Sequence, residues 1–370
     1  MMRVFHVTAS GGLFGAEKAL IDLAATQARI GLDVTIVSLN TGDGSDTVEK
    51  EFSRNNLKYL SIPFEEKVSR RQVSGLKALF EKGRPDIIHA HNYKANIYSV
   101  LCKPKGNTCR LVSTAHGYLL PPIFSALRIY YFLDRKFLRK YDHIVCVSDR
   151  TKQSLKTSLK GSVPISVIRN GISSFSDAGE LNIENSDVRF EENRFNLICV
   201  GRLSPEKNFS EAIKIFSHIL EAAPNSLLWV VGNGPELGAL RQLSDRLGLG
   251  EKVTFLGYRT DAEVLIRCAD MLMISSKSEG LPITLLEAMK NSTIVAYRDV
   301  GDIDYVLNGG EFGCRLDGPP EKCAKDIVDL LQNDEKRKLM VHGAGRRLIA
   351  KFSAENMEKL YREVYQMVMQ

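Results

Sequence analysis

Short apolar runs recur along this chain, separated by longer stretches in which apolar residues return at helical spacing. Residues 4–8 (VFHVT) read as a buried strand and residues 10–15 (SGGLFG) as a glycine-rich turn. Residues 16–30 follow as an amphipathic helix stopped by Gly31, and residues 34–39 form the next strand. That is one βαβ unit. Further strands are expected at 87–89, 110–114, 143–147 and 165–168, with helical patterns between most of them. The alternation then restarts with strands 196–200, 227–231, 253–256, 271–274 and 293–296, and with helices at 210–221 and 236–247. Near-continuous apolar strands punctuated by helices predict parallel sheets covered on both faces. The expected class is therefore α/β, with two doubly wound, Rossmann-like domains in tandem.

Residues 173–193 are rich in Ser, Asp, Glu and Asn, lack clear periodicity and read as a linker. This divides the chain into an N-terminal domain at 1–172, the linker, a C-terminal domain at 194–353 and an amphipathic helix at 354–370. The pattern does not reveal which domain that last helix covers.

A length of 370 residues agrees with two domains, and 44% hydrophobic with 25% charged residues is a globular composition. Charge changes the picture more. The net +6 is uneven: residues 1–170 hold 26 Lys and Arg against 14 Asp and Glu, a net +12, and the rest holds 24 against 30, a net −6. An anionic substrate or surface is expected to meet the first half. The seven cysteines are scattered without a C-x-x-C pair, the opening Met1-Met2-Arg3-Val4 leads straight into a strand, and no apolar run is long enough to span a bilayer. A cytoplasmic location is expected, peripheral at the inner face of the plasma membrane.

Candidate chemistry lies at strand ends. The run 278–289 (SEGLPITLLEAM) follows an apolar strand and carries Glu279 on the turn and Glu287 inside the next helix, with Gly280 and Leu281 between strand and helix. Pro282 is expected as the first helical residue. Two carboxylates beside a helix N-terminus suit vicinal hydroxyls flanking an anionic centre, as in a nucleotide sugar. Gly201-Arg202 and Lys207 likewise leave a strand and enter a helix, where a guanidinium, an ammonium and backbone N–H groups suit a pyrophosphate. Gly232-Asn233-Gly234 is another strand-to-helix turn, weak by itself. Gly11, Gly12 and Gly15 approach the dinucleotide fingerprint without completing it, and a dinucleotide cofactor is disfavoured. His116, before Gly117 at a strand end, reads as functional; His89, near His91 in IIHAHN, reads as structural. No His, Cys or Asp grouping has metal-ligand spacing, and no metal is expected. The stretch 124–142 interleaves aromatics with Arg128, Arg135, Lys136, Arg139 and Lys140. It suits an anionic membrane or a lipid pyrophosphate as readily as a core helix with a solvated basic face. Nucleic acid is disfavoured, since no recognised binding motif accompanies the charge.

Taken together these positions resemble the retaining glycosyltransferases of family 4, which have the GT-B fold. The matching residues are the turn Gly11–Gly15, His116-Gly117, Cys146-Val147-Ser148, Arg169-Asn170-Gly171-Ile172, Gly201-Arg202 with Lys207, Gly232-Asn233-Gly234, and Glu279 with Glu287, in the family's order. The resemblance implies two Rossmann-like domains with a cleft between them. It places Arg202 and Lys207 on the donor pyrophosphate, Glu287 on the ribose, and Glu279 with Gly280, Leu281 and Pro282 on the donor sugar. Gly12 would face the phosphates or the acceptor, and His116 the anomeric centre. It further implies a metal-independent transfer of a hexose or N-acetylhexosamine, with retention. The donor expected is a UDP-sugar, and the acceptor an undecaprenyl-linked or other lipid-linked glycan in surface-polysaccharide or lipopolysaccharide synthesis. A non-hydrolysing nucleotide-sugar 2-epimerase and a silent binding subunit are the rival readings. The chain departs from the family pattern at 291–305, where Gly301-Asp302-Ile303-Asp304-Tyr305 stands in place of Gly-Gly-x-x-Glu.

Overall fold

The computed structural model describes the chain apart from residues 10–11, 41–44, 64–69, 105, 107–108, 118–125 and 174–193. Ser10 and Gly11 of the expected glycine turn, Phe124 and Ser125 of the basic stretch, and 174–193 of the expected linker lie outside the described residues. The chain divides into two compact units, Met1–Ser173 with Phe352–Gln370, and Ser174–Lys351.

In the first unit the strands are β1 (Arg3–Thr8), β2 (Asp33–Asn40), β3 (Tyr59–Pro63), β4 (Ile87–Ala90), β5 (Arg110–Ala115), β6 (His143–Cys146) and β7 (Ile165–Val167). They pair in parallel in the order β3-β2-β1-β4-β5-β6-β7. Side chains alternate between the two faces, and both faces are covered. Phe5, Val7, Ile88 and Ile144 pack with Leu76, Phe80, Ala95 and Tyr98 from the helices Arg70–Gly83 and Tyr93–Cys102. On the opposite face Val4, Ile87, Val112 and Val145 meet Met357, Tyr361, Val364 and Tyr365 of the C-terminal helix Ala354–Met369. The last helix thus belongs to the first sheet. Ile172 bridges to Ser353, which brings the chain back to the unit where it began.

The second unit repeats the plan with β8 (Asn196–Val200), β9 (Leu227–Val231), β10 (Val253–Gly257), β11 (Met271–Ile274), β12 (Ile294–Tyr297) and β13 (Cys314–Arg315), in the order β10-β9-β8-β11-β12-β13. Its core joins Leu197, Cys199, Val230 and Met273 to Ile213 and Phe216 of the helix Phe209–Ala222. Both sheets reverse their strand order once, between β1 and β4 and between β8 and β11. Such switch points open a crevice at the carboxyl ends of the strands.

The central strands fall within a residue or two of their expected bounds because each is an uninterrupted buried run. Sequence reading missed β3 and β13, both at sheet edges. β3 holds only half-buried and exposed residues and β13 is two residues long, so neither offers a buried apolar run. Pro282 is also corrected: it is the residue before the helix Ile283–Lys290, with φ −69° and ψ 131°, rather than its first residue. Its extended ψ turns the chain into the helix, where a missing N–H costs nothing.

Candidate active site

The second switch point gathers the charged residues. Gly201, at φ +153°, turns the chain out of β8, and a Cβ there would lie 3.6 Å from Lys207 Cε, so the lysine stem runs over the glycine. Lys207 Nζ donates to Glu279 Oε1 at 2.6 Å, and the same oxygen accepts from Ser276 Oγ at 2.6 Å. Four further hydrogen bonds lace this loop to the one after β11. Ser275 Oγ donates to the carbonyls of Lys207 and Asn208 at 3.2 and 3.0 Å, Asn208 Nδ2 donates to the Ser275 carbonyl at 3.3 Å, and Lys277 N to the Glu206 carbonyl at 2.8 Å. The ammonium is therefore fixed in position, with its charge offset by Glu279. Arg202 is exposed, and among the described residues no hydrogen bond or ion pair engages its guanidinium. A held ammonium and an open guanidinium at one strand end can together grip an anion.

Gly232 has a reason in the fold itself. At φ +138° its Cβ would fall 1.8 Å from the Gly201 carbonyl oxygen, so the turns after β8 and β9 touch through bare backbone. A Cβ on Gly234 would likewise fall 2.3 Å from the Leu203 carbonyl oxygen, while Asn233 is exposed and its own carbonyl accepts from Leu203 N at 2.9 Å. Gly280 and Leu281 are buried, and the Gly280 carbonyl accepts from Asp302 N at 3.1 Å. The divergent 301–305 loop thus still braces the Glu279 turn. Its acid is spent elsewhere: Asp304 accepts from Tyr297 OH at 2.7 Å and from Arg315 Nε at 2.6 Å. Tyr305, where the family pattern has glutamate, is 45% exposed, with Arg347 5.3 Å from its ring centre. Glu287 sits in the helix at 1% exposure, which leaves its carboxylate only a narrow approach.

Among the described residues, the first switch point gathers histidines in place of such charges. His6 on β1 lies in register with His89 on β4, and His91 follows at the strand end, where its N–H donates to the Val7 carbonyl at 3.0 Å. The rings lie 4.2 to 5.1 Å apart. His116, after β5, completes the row, with its Nε2 3.4 Å from His91 Nδ1. Burial pushes His6 and His116 down to about 4 and His89 and His91 well below the usual histidine range, the neighbouring rings adding to the effect in the last two. All four are neutral at pH 7. Gly12 is buried, and a side chain there would meet the Phe14 ring.

Sequence spacing did not reveal this group. His6, His89 and His91 form the one trio of potential metal ligands among the described residues, with ligand atoms within 4.8 Å of one another. Only pairing of β1 with β4 brings them together. The trio does not fit a metal as it stands. Both nitrogens of His89 are engaged, by Tyr365 OH and Thr114 Oγ1 at 2.7 Å each, and both of His6, by His91 Nε2 at 2.9 Å and Gln27 Oε1 at 2.8 Å.

In the basic stretch the expectation is corrected at Arg135. The helix Ala126–Leu138 turns Asp134, Arg135 and Leu138 inward, and Arg135 is only 7% exposed. Its guanidinium lies 4.0 Å from the Tyr131 ring centre and donates to Tyr131 OH, so it stabilises the helix instead of facing a surface. Arg128 is half-buried, 5.9 Å from the Phe132 ring centre, and Lys136, Arg139, Lys140 and Phe132 stay exposed, the last at 59%. No described helix is long and apolar enough to cross a membrane.

Comparison with known proteins agrees with this layout. Residues 182–347 match the family model of the group 1 glycosyl transferases and residues 15–174 that of glycosyltransferase family 4. Among curated relatives, an Escherichia coli UDP-Gal:alpha-D-GlcNAc-diphosphoundecaprenol alpha-1,3-galactosyltransferase is 26% identical over 230 residues, covering 59% of each chain. A Bacillus anthracis N-acetyl-alpha-D-glucosaminyl L-malate synthase is 25% identical over 298 residues, covering 79% of this chain and 77% of the relative. The match thus spans little more than half of the first relative and about three quarters of the second. Among solved structures, Anabaena HepE in complex with UDP superposes with a TM-score of 0.78 at 19% identity, covering 99% of this chain and 100% of HepE, a likeness of fold alone. Two Rossmann-like halves of the GT-B type, each matched by its own family model, place this chain in the group 1 and family 4 glycosyltransferases.

Proposed function

We propose that this chain is a retaining, metal-independent glycosyltransferase that moves a hexose or N-acetylhexosamine from a UDP-sugar to a lipid-linked glycan in cell-surface polysaccharide synthesis. The observation that carries the reading is the constellation at the second switch point: Lys207 held 2.6 Å from Glu279, beside an exposed Arg202. Charge builds on the departing diphosphate as the glycosidic bond breaks, and cations already in position stabilise that charge without reorganising. In this reading the two basic residues do the work a divalent ion does elsewhere. Glu279 uses one oxygen to hold Lys207 and Ser276 and offers the other to a donor-sugar hydroxyl. Glu287 takes the ribose hydroxyls, and the turn Gly280-Leu281-Pro282 borders the sugar. His116 and Gly12 serve the reacting sugar or the acceptor from the N-terminal unit. The UDP preference and the lipid-linked acceptor draw on the names of the relatives. Phe132 with Lys136, Arg139 and Lys140 supplies an apolar and basic surface suited to the anionic membrane where such an acceptor resides.

The test is thermal unfolding with UDP, GDP, ADP and their common sugars, followed by product analysis with lipid-linked acceptors. A ligand at ~100 times its Kd adds about 2.7 kcal/mol, and a shift with UDP species that Glu287→Ala weakens is the expected result. Sugar transfer strictly dependent on acceptor separates this reading from an epimerase, which converts donor alone. Silence towards every nucleotide and acceptor would leave a binding subunit.

A further inference from the structure

The buried histidines form one continuous hydrogen-bonded chain with an open end. From the C-terminal helix it runs Tyr365 OH to Gln27 Nε2 at 3.3 Å, Gln27 Oε1 to His6 Nε2 at 2.8 Å, His6 Nδ1 to His91 Nε2 at 2.9 Å, and His91 Nδ1 to His116 Nε2 at 3.4 Å. His116 Nδ1 is buried and makes no hydrogen bond to the described protein. A neutral imidazole has one N–H and one lone pair, so each ring passes a polarity to the next. The amide oxygen of Gln27 only accepts, hence His6 carries its proton on Nε2 and accepts at Nδ1. His91 must then donate from Nε2 and accept at Nδ1. His116 in turn donates from Nε2, which leaves a lone pair on Nδ1.

Two arguments favour this polarity over its reverse. It puts all the rings in the Nε2–H form that a free imidazole already prefers, His89 included, which accepts from Tyr365 OH at Nδ1 and donates to Thr114 Oγ1 from Nε2. The reverse would leave a buried N–H at His116 Nδ1 with no acceptor, which is the rarer and costlier defect. A metal at His6, His89 and His91 would need lone pairs that these bonds already use.

We propose that Gln27, acting through His6 and His91, fixes the tautomer of His116 so that its open Nδ1 accepts a hydrogen bond from a sugar hydroxyl. Gln27, His6 and His91 are then positioning residues. Tyr365 holds the amide of Gln27 the right way round, so the C-terminal helix has a part in the site. The identity of the hydroxyl rests on the transferase reading; the tautomer chain does not.

The experiment is long-range proton–nitrogen correlation NMR of the full chain with 15N-labelled histidine at neutral pH and without substrate, rings being assigned by single histidine substitutions. Neutral Nε2–H patterns are expected for His6, His91 and His116. Gln27→Met should keep the wild-type fold while His116 loses its single-tautomer pattern, and Tyr365→Phe should do so partially. If transfer is observed, Gln27→Met should lower kcat while leaving the Kd for UDP unchanged. An Nδ1–H pattern on His116, a pattern indifferent to Gln27→Met, or stoichiometric zinc in the purified protein would overturn the proposal. Absence of any transfer with the NMR pattern intact would remove only the hydroxyl assignment.

Discussion

The two sheets share one topology and use it for opposite electrostatics. At the β8–β11 switch point a lysine and a glutamate stand at the strand ends, paired with each other and braced by serine hydroxyls, beside an exposed arginine. At the β1–β4 switch point four neutral histidines fill the same place in the fold, wired to one another and to the C-terminal helix. The difference suits the two tasks of the proposed reaction. In the proposed transfer, charge developing on a leaving group would call for fixed cations, whereas a neutral polyol would call for donors and acceptors of settled direction. The net charge of each half says the reverse, since the first half is the basic one. Its excess cations lie on outward surfaces such as Lys136, Arg139 and Lys140, not among the histidines.

The contrast can be broken most forcefully on the charged side. Arg202→Ala and Lys207→Ala should each lower turnover by about 10²–10³-fold, as for other lost donors to a developing charge, with little effect of Arg202→Ala on the melt. Steady-state kinetics beside calorimetry decides; normal turnover in either variant sinks the pyrophosphate assignment. Next in size is Gly232→Ala. With a Cβ 1.8 Å from a carbonyl oxygen and φ at +138°, it should cost upwards of about 3 kcal/mol by urea unfolding, with the loss confined to the second unit.

Acid should separate the units as well. His6 is depressed from 6.5 to about 4 in the folded chain, so the unfolded state takes up protons first. The stability present above the unfolded value is lost as pH falls from 6.5 through about 4, on the order of 3 kcal/mol from His6 alone. Hydrogen exchange between pH 7 and 4.5 should show β1 and β4 loosening before β8 and β11; simultaneous loss would mean the histidines are not kept neutral by the fold. Tyr365→Phe removes one hydroxyl from two bonds and should cost about 1–2 kcal/mol, measured in the same exchange experiment. Smallest of all, reversing Lys136, Arg139 and Lys140 to glutamate should change stability by about 0.5 kcal/mol or less while reducing binding to anionic vesicles; unchanged binding removes that surface from the reading.

Much of the charged site is legible in the chain because its parts are local. Glu279 and Glu287 share one strand–turn–helix segment, as do Arg202 and Lys207, and strand ends announce themselves by apolar runs that stop at glycine. The pairing of Lys207 with Glu279, 72 residues apart, is not legible, because it depends on β8 and β11 lying side by side. Nor is the inward turn of Arg135: periodicity locates a basic stretch but cannot tell which of its residues is buried.

What the sequence alone determined is the sequence of elements, since burial on two sheet faces requires apolar runs and helical covers require amphipathic spacing. Tertiary structure decided the rest. His6, His89, His91 and His116 come from three different strands or their ends, and Tyr365 from the far end of the chain; apart from His116, none stands out in its own segment. They become one hydrogen-bonded chain only when parallel pairing puts β1, β4 and β5 in register and the last helix lies across them. A buried nitrogen must find its partner wherever the fold supplies one, and that choice has no period along the chain.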